Sequence, residues 1–136
     1  MGQNVDKGIA AVWFGIFKTK AEFQAYIKVH YELEKNIDSE FEKDFELKYY
    51  DKSLVESKFI DEKGSDLVEL LSGLSYHESF NYDFRKLLKV KYNGVIIIYD
   101  FEYIGNKMDV SNNNSIIHFY SNISYEKIVD LSWMEL

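Results

Sequence analysis

Ser75-Tyr76-His77-Glu78-Ser79 sets two serine hydroxyls, an imidazole and a carboxylate within five residues, the inventory of an activated nucleophile with its base. Within one helical turn those side chains diverge. Ser75 and Glu78 also match the Ser/Thr-x-x-Glu pattern that caps a helix start, so the segment reads as structural. His30, His77 and His118 lie far apart, and none has a second ligand at the spacing a helical zinc site requires. Asp38-x-Glu40-x-Glu42-x-Asp44 offers carboxylates at alternate positions but lacks the glycine turn and terminal Glu of an EF-hand loop, which leaves weak cation binding at most. The absence of cysteine excludes a thiolate nucleophile, a thiolate metal site and a disulfide framework. No glycine-rich phosphate cradle accompanies Gly105. Asp100 and Glu102 remain as an acid–base pair, and an enzyme built on them ranks below a binding protein. No cofactor and no metal are expected.

The distribution of charge is more informative. Seven of the 23 acidic residues fall between Glu32 and Glu46, namely Glu32, Glu34, Asp38, Glu40, Glu42, Asp44 and Glu46, against Lys35 and Lys43 alone. That stretch carries −5 of the total of −7. One reading is the solvated face of a helix and its flanks. The other is a local field that attracts a basic partner and speeds its encounter. Acidity disfavours nucleic acid as a ligand, because phosphates would be repelled. Tyr49, Tyr50, Tyr99, Tyr103 and Tyr120 stand near acidic residues on expected strands, and tyrosine beside carboxylate suits a protein interface. Most of the 23 aromatic residues are nevertheless expected in the core.

The elements that must position these groups can be read in outline. A chain of 136 residues without proline or a Gly/Ser linker is one domain, 1–136, with a single core. Capping-box patterns at Thr19/Glu22, Ser39/Glu42, Ser53/Glu56 and Ser75/Glu78 mark helix starts. Helical spacing follows in Phe23, Tyr26, Ile27 and Tyr31, in Leu67, Leu70, Leu71 and Leu74, and in Phe80, Phe84, Leu87 and Leu88. Shorter helices are expected to bury Phe41 and Phe45 after Ser39, and Val55 and Phe59 after Ser53. Strands are expected over residues 9–17, 95–103 and 116–120, with a short one at 47–50, and Asn93-Gly94 is expected to turn the chain into the second. The order speaks for an α+β domain, a mainly antiparallel sheet of about four strands covered by several amphipathic helices. Residues 121–136 are a C-terminal extension in which Ile128, Leu131 and Trp133 would close the core. The start of the chain shows no signal-peptide or myristoylation pattern and the sequence has no apolar run of membrane-spanning length, which places the protein in the cytoplasm with no membrane partner.

Val12-Trp13-Phe14-Gly15-Ile16-Phe17 with Glu22-Phe23-Gln24-Ala25-Tyr26-Ile27, Phe41-Glu42-Lys43-Asp44-Phe45 with Tyr49-Tyr50-Asp51 and Glu56, Ser75-Tyr76-His77-Glu78-Ser79-Phe80, and residues 96–103 are four segments that, in this order, resemble the bacterial immunity protein 22 family. The resemblance covers residues 9–120. It implies a non-catalytic antidote that binds the toxic domain of a polymorphic toxin, as a monomer or weak dimer. If that toxin is a basic nuclease, the partner-binding residues would be Glu32, Glu34, Asp38, Glu40, Glu42, Asp44, Glu46, Tyr49, Tyr50 and Asp51, with both tyrosines as central anchors and Trp13, Tyr76 and Phe80 in the core. The competing reading is a small-molecule-binding domain with an aromatic pocket.

Overall fold

Alternate residues of the first apolar run face two different cores. Ala10, Val12 and Phe14 pack with Leu67, Leu70, Leu71, Val95, Ile97 and Tyr99, whereas Ala11, Trp13 and Phe17 pack with Phe23, Tyr26, Phe41, Phe45, Ile96 and Ile98. A strand buried on both faces explains why the segment reads as a continuous apolar run. The computed structural model describes residues 3–32, 35–83, 85–112 and 115–130, with the backbone alone at 3–6, 30–32, 35–37 and 128–130. Strand β1 (Gln3–Phe17) is central in one five-stranded antiparallel sheet. It lies between β5 (Leu87–Tyr99) and β7 (Ser115–Asp130), with β4 (Val55–Asp66) and the three-residue β6 (Asp109–Ser111) at the edges. The strands β2 (His30–Glu32) and β3 (Lys35–Ile37) pair separately.

Three short helices supply the cover. Helix α1 (Lys20–Ile27) and helix α2 (Glu40–Asp44) close one face, and α3 (Leu67–Leu71) closes the other. The architecture is α+β with more strand and less helix than the sequence predicts. Thr19 accepts the Glu22 N–H at α1, and Ser39 with Glu42 forms a complete capping box at α2. The other two boxes fail. Val55 and Phe59 lie on β4, not a helix, and Glu56 instead accepts the Ser75 amide and hydroxyl. After Ser75 the chain makes only a 3₁₀ turn (His77–Ser79), and Leu87 and Leu88 begin β5; Phe84 lies outside the described residues. Tyr31 belongs to β2, beyond the end of α1. Residues 47–50 form no strand, because Glu46 and Tyr49 hold left-handed backbone angles of 55° and 58°.

The strand expected over 95–103 starts earlier and stops sooner. Asn93-Gly94 is no turn: buried Asn93 accepts the Phe17 N–H at 2.9 Å and donates to the Phe17 carbonyl at 2.7 Å, extending the β1–β5 ladder with a side chain. At the other end Asp100, at φ 55°, breaks the alternation, so Tyr103 leaves the face of Val95, Ile97 and Tyr99 and packs beside Trp13. Asn122 repeats the side-chain device there, accepting the Tyr103 N–H at 2.8 Å and donating to its carbonyl at 2.9 Å. In β7, the register shift opposite Val12 and Trp13 leaves Tyr120 as a bulge. It swaps the faces, sending Ile117 and Phe119 to one core and Ile123 and Tyr125 to the other. Ile128 sits on β7, and Leu131 and Trp133 lie outside the described residues.

Gly15 and Gly94 face each other across β1 and β5. Phe17, 2% exposed, lies over both, and a Cβ on Gly94 would sit 2.8 Å from its Cε2 and 3.0 Å from Phe23 Cδ1. Both rings are buried and cannot retreat without disturbing α1. Gly94→Ala is therefore expected to destabilise by about 2 kcal/mol, typical of overpacking, read as a lower urea midpoint at unchanged slope.

Candidate partner-binding site

The capping box that starts α2 also decides which carboxylates remain available. Glu42, 3% exposed, accepts the Ser39 N–H at 2.9 Å and the Tyr50 hydroxyl at 2.8 Å, and faces Lys52 Nζ at 3.4 Å. Burial favours the neutral acid, but the Ser39 amide, the Tyr50 hydroxyl and the Lys52 ammonium outweigh it and hold the carboxyl below its ordinary value. Glu42 thus ties α2 to the segment that follows it. Asp44 is half-buried and accepts the Tyr26 hydroxyl at 2.9 Å, which joins α2 to α1. Burial, that bond and the charges of Asp44 and Glu40 raise the Tyr26 pKa strongly.

The remaining candidates divide clearly. Asp38, Glu40 and Glu46 are exposed, and Tyr49 is 99% exposed. Tyr50 is half-buried, with its ring 5.8 Å from Phe101. Asp51 is exposed and caps the 3₁₀ turn Lys52–Leu54, accepting the Ser53 N–H at 2.9 Å and hydroxyl at 2.6 Å. Glu32 lies on β2, where the backbone is described, and Glu34 falls outside the described residues. The structure therefore gathers Asp38, Glu40, Glu46 and Tyr49 around α2 and its exit, and turns Glu42 and Asp44 inward.

Two further surfaces adjoin this one. A cleft of about 130 Å³ beside Glu40 is bordered by Glu22 and Tyr26, and Glu22 Oε2 is buried with no hydrogen-bond partner among the described residues. A groove of about 300 Å³ runs between residues 45–48 and 101–105 and brings Glu102 and Ile104 to the acidic segment. Sequence reasoning singled out neither Glu22 nor Ile104 as a contact. The signal for Ile104 is a lone aliphatic residue beside Gly105 in a stretch with no helical or strand partner.

The groupings that opened the chemical question resolve as structure. Both serine hydroxyls of the 75–79 segment are engaged in structural bonds, Ser75 with Glu56 and Ser79 with the Tyr76 and Glu126 carbonyls, while His77 Nδ1 meets the Leu74 carbonyl at 2.9 Å. Ser75 and Glu78 do not cap a helix. Asp100 accepts the Tyr125 hydroxyl at 2.7 Å and pairs with Lys127 at 2.5 Å, which pins the left-handed turn. Lys127 and Tyr125 hold its carboxyl below the usual range. His118 pairs with Asp109 across the β6–β7 register. Among the described residues no group of three or more His, Asp or Glu side chains could hold a metal ion. No helix among them is long and apolar enough to cross a membrane. Trp13 packs edge-on against Phe41, Phe45, Tyr103 and Phe119 at 5.0 to 5.8 Å, and Phe80 is buried with Tyr99, whereas Tyr76 is 45% exposed at φ 61°.

Fold and surface together define a small α+β domain with two aromatic-rich cores and an acidic face built on α2. The model of the family described as Immunity protein 22 matches residues 10–126, and the chain belongs to that family. Membership gives it a general role in toxin immunity. Neither a curated protein nor a solved structure matches the chain.

Proposed function

We propose that the protein neutralises a cognate bacterial toxin domain by binding it in a stable complex, without turnover, and covering its active cleft. The family match over residues 10–126 carries this reading. The charge distribution supports a basic partner, with a nuclease as the favoured class: a nuclease cleft is built to receive phosphates, and exposed carboxylates at Asp38, Glu40 and Glu46 compete for the same cations. Tyr49 supplies the rigid aromatic contact that interfaces favour, and Tyr50 and Glu42 hold the segment behind it. The partner is a protein, the binding proposed needs no cofactor, and the location is the cytoplasm of the toxin-producing cell. The aromatic-pocket reading is weaker, because Trp13, Phe17, Phe23, Phe41 and Phe45 are engaged with one another in the core.

Co-expression tests the proposal. The toxin-like domain encoded beside this gene is induced with and without the protein, followed by pull-down. Restored growth together with a stable complex is the expected result. Persistent toxicity despite folded, abundant protein would refute it.

A further inference from the structure

Two large apolar side chains stand almost fully in water, Tyr49 at 99% and Ile104 at 84% exposure. Isolated exposed apolar residues need no explanation, but these two share a setting. Ile104 lines the groove between residues 45–48 and 101–105, and Tyr49 is the next residue in the chain after Lys48, which lines the groove's other side. Both are presented by fixed backbone. Asn122 holds both main-chain groups of Tyr103, its buried ring packs against Trp13, Phe45 and Phe119, and its hydroxyl donates to the Lys107 carbonyl at 2.8 Å, closing the loop beneath Ile104. Gly105 is required there, since a Cβ would lie 2.7 Å from the Tyr103 ring. Tyr49 sits at φ 58° between buried Leu47, whose N–H bonds the Glu42 carbonyl at 2.9 Å, and Tyr50, whose hydroxyl reaches the Glu42 carboxylate. A loop held this firmly around an exposed apolar residue loses little conformational freedom when that residue is buried by a partner.

Charge selects the occupant. Glu46 and Glu102 line the groove with Lys48, and a second cleft sharing residues 46–48 adds exposed Asp38 and Lys43, which leaves three available acids to two bases, since Glu42 at that cleft is turned inward and faces Lys52. We infer that the 45–48/101–105 groove, with Tyr49 and Ile104 as its anchors, receives a toxin segment in which an apolar residue is flanked by lysine or arginine. This rests on the toxin-binding reading above and names the surface that performs it. The apolar residue packs between the anchors while its basic neighbours meet Glu46 and Glu102 at the rim, the arrangement of apolar centre and polar border that protein interfaces favour.

The test compares wild type, Ile104→Ser, Tyr49→Ala and Leu87→Ser in binding to the purified toxin domain encoded beside the gene. Leu87 is 67% exposed at the opposite end of β5 from the Asp100 turn and serves as the control. Circular dichroism and thermal melts establish that each variant is folded, as substitution at an exposed site permits. Ile104→Ser and Tyr49→Ala are each expected to weaken binding by about 30-fold, and Leu87→Ser by less than about 3-fold. Wild-type binding that both anchor variants retain in full overturns the groove and leaves toxin binding intact. A wild type that binds no toxin overturns both. Self-association of wild type in sedimentation velocity that Ile104→Ser abolishes, with toxin binding unchanged, would assign the anchors to a second copy of this chain and also overturn the inference.

Discussion

Reversing Asp38, Glu40 and Glu46 to lysine is expected to slow association with the toxin domain about 100-fold at low ionic strength, and to flatten the dependence of the association rate on salt. The three carboxylates are exposed on and beside α2, and they make no hydrogen bond or ion pair among the described residues, so reversal changes the field with little effect on the fold. Stopped-flow association across a salt series is the measurement. Reversing Asp61, Glu62 and Glu78 alters net charge equally from exposed positions on β4 and the 3₁₀ turn, and separates a local field from total charge. The local account predicts that this control loses much less rate. Equal losses would remove the α2 face from the encounter.

Glu42→Ala, two residues from Glu40 in the same run of acids, is expected to have a different consequence: a loss of about 3 kcal/mol of stability, or roughly 10 °C in melting temperature. The substitution leaves the Ser39 amide, the Tyr50 hydroxyl and Lys52 without their common acceptor and opens space behind α2. Glu40→Ala should change stability by less than about 0.5 kcal/mol, as an exposed substitution does. The pH dependence has a definite sign. The folded pKa of Glu42 lies below the unfolded one, so its contribution is fully present above the ordinary glutamate value of about 4.3 and is lost as pH falls through the lower, folded value. The stability gap between wild type and Glu42→Gln should be widest near neutrality and narrow in acid. Denaturant titrations at a series of pH values read it directly; a gap that widens in acid would contradict the assignment.

The contrast between Glu40 and Glu42 shows what the sequence could and could not disclose. Composition and spacing located the acidic run and, through Ser39-x-x-Glu42, the start of α2, because a capping box is a local device. That the same Glu42 would be buried depends on Tyr50 and Lys52 folding back over it, which no local pattern encodes. The same limit explains Ser53/Glu56. The motif is present, but Glu56 is recruited by Ser75 and by the Tyr99 hydroxyl at 2.6 Å, and β5 offers a ladder that outweighs local helix preference. The central strands were legible because residues 10–15 and 95–99, within the apolar runs, are buried on both faces. Their ends were not. Asp100 closes β5 because Tyr125 and Lys127, distant in sequence, hold its carboxylate, and the chain turns there to carry Ile104 to the groove it shares with residues 45–48. The groove thus arises from a tertiary contact, while the charge that characterises its rim is visible in the sequence.

Inhibition by stoichiometric binding can be read by titrating the toxin domain's activity with this protein. Activity is expected to fall linearly, to end at one immunity protein per toxin, and to return when the complex is dissociated. Inhibition completed at a small fraction of that ratio, persisting after the protein is removed, would mean that the toxin had been chemically altered, and would contradict inhibition by binding.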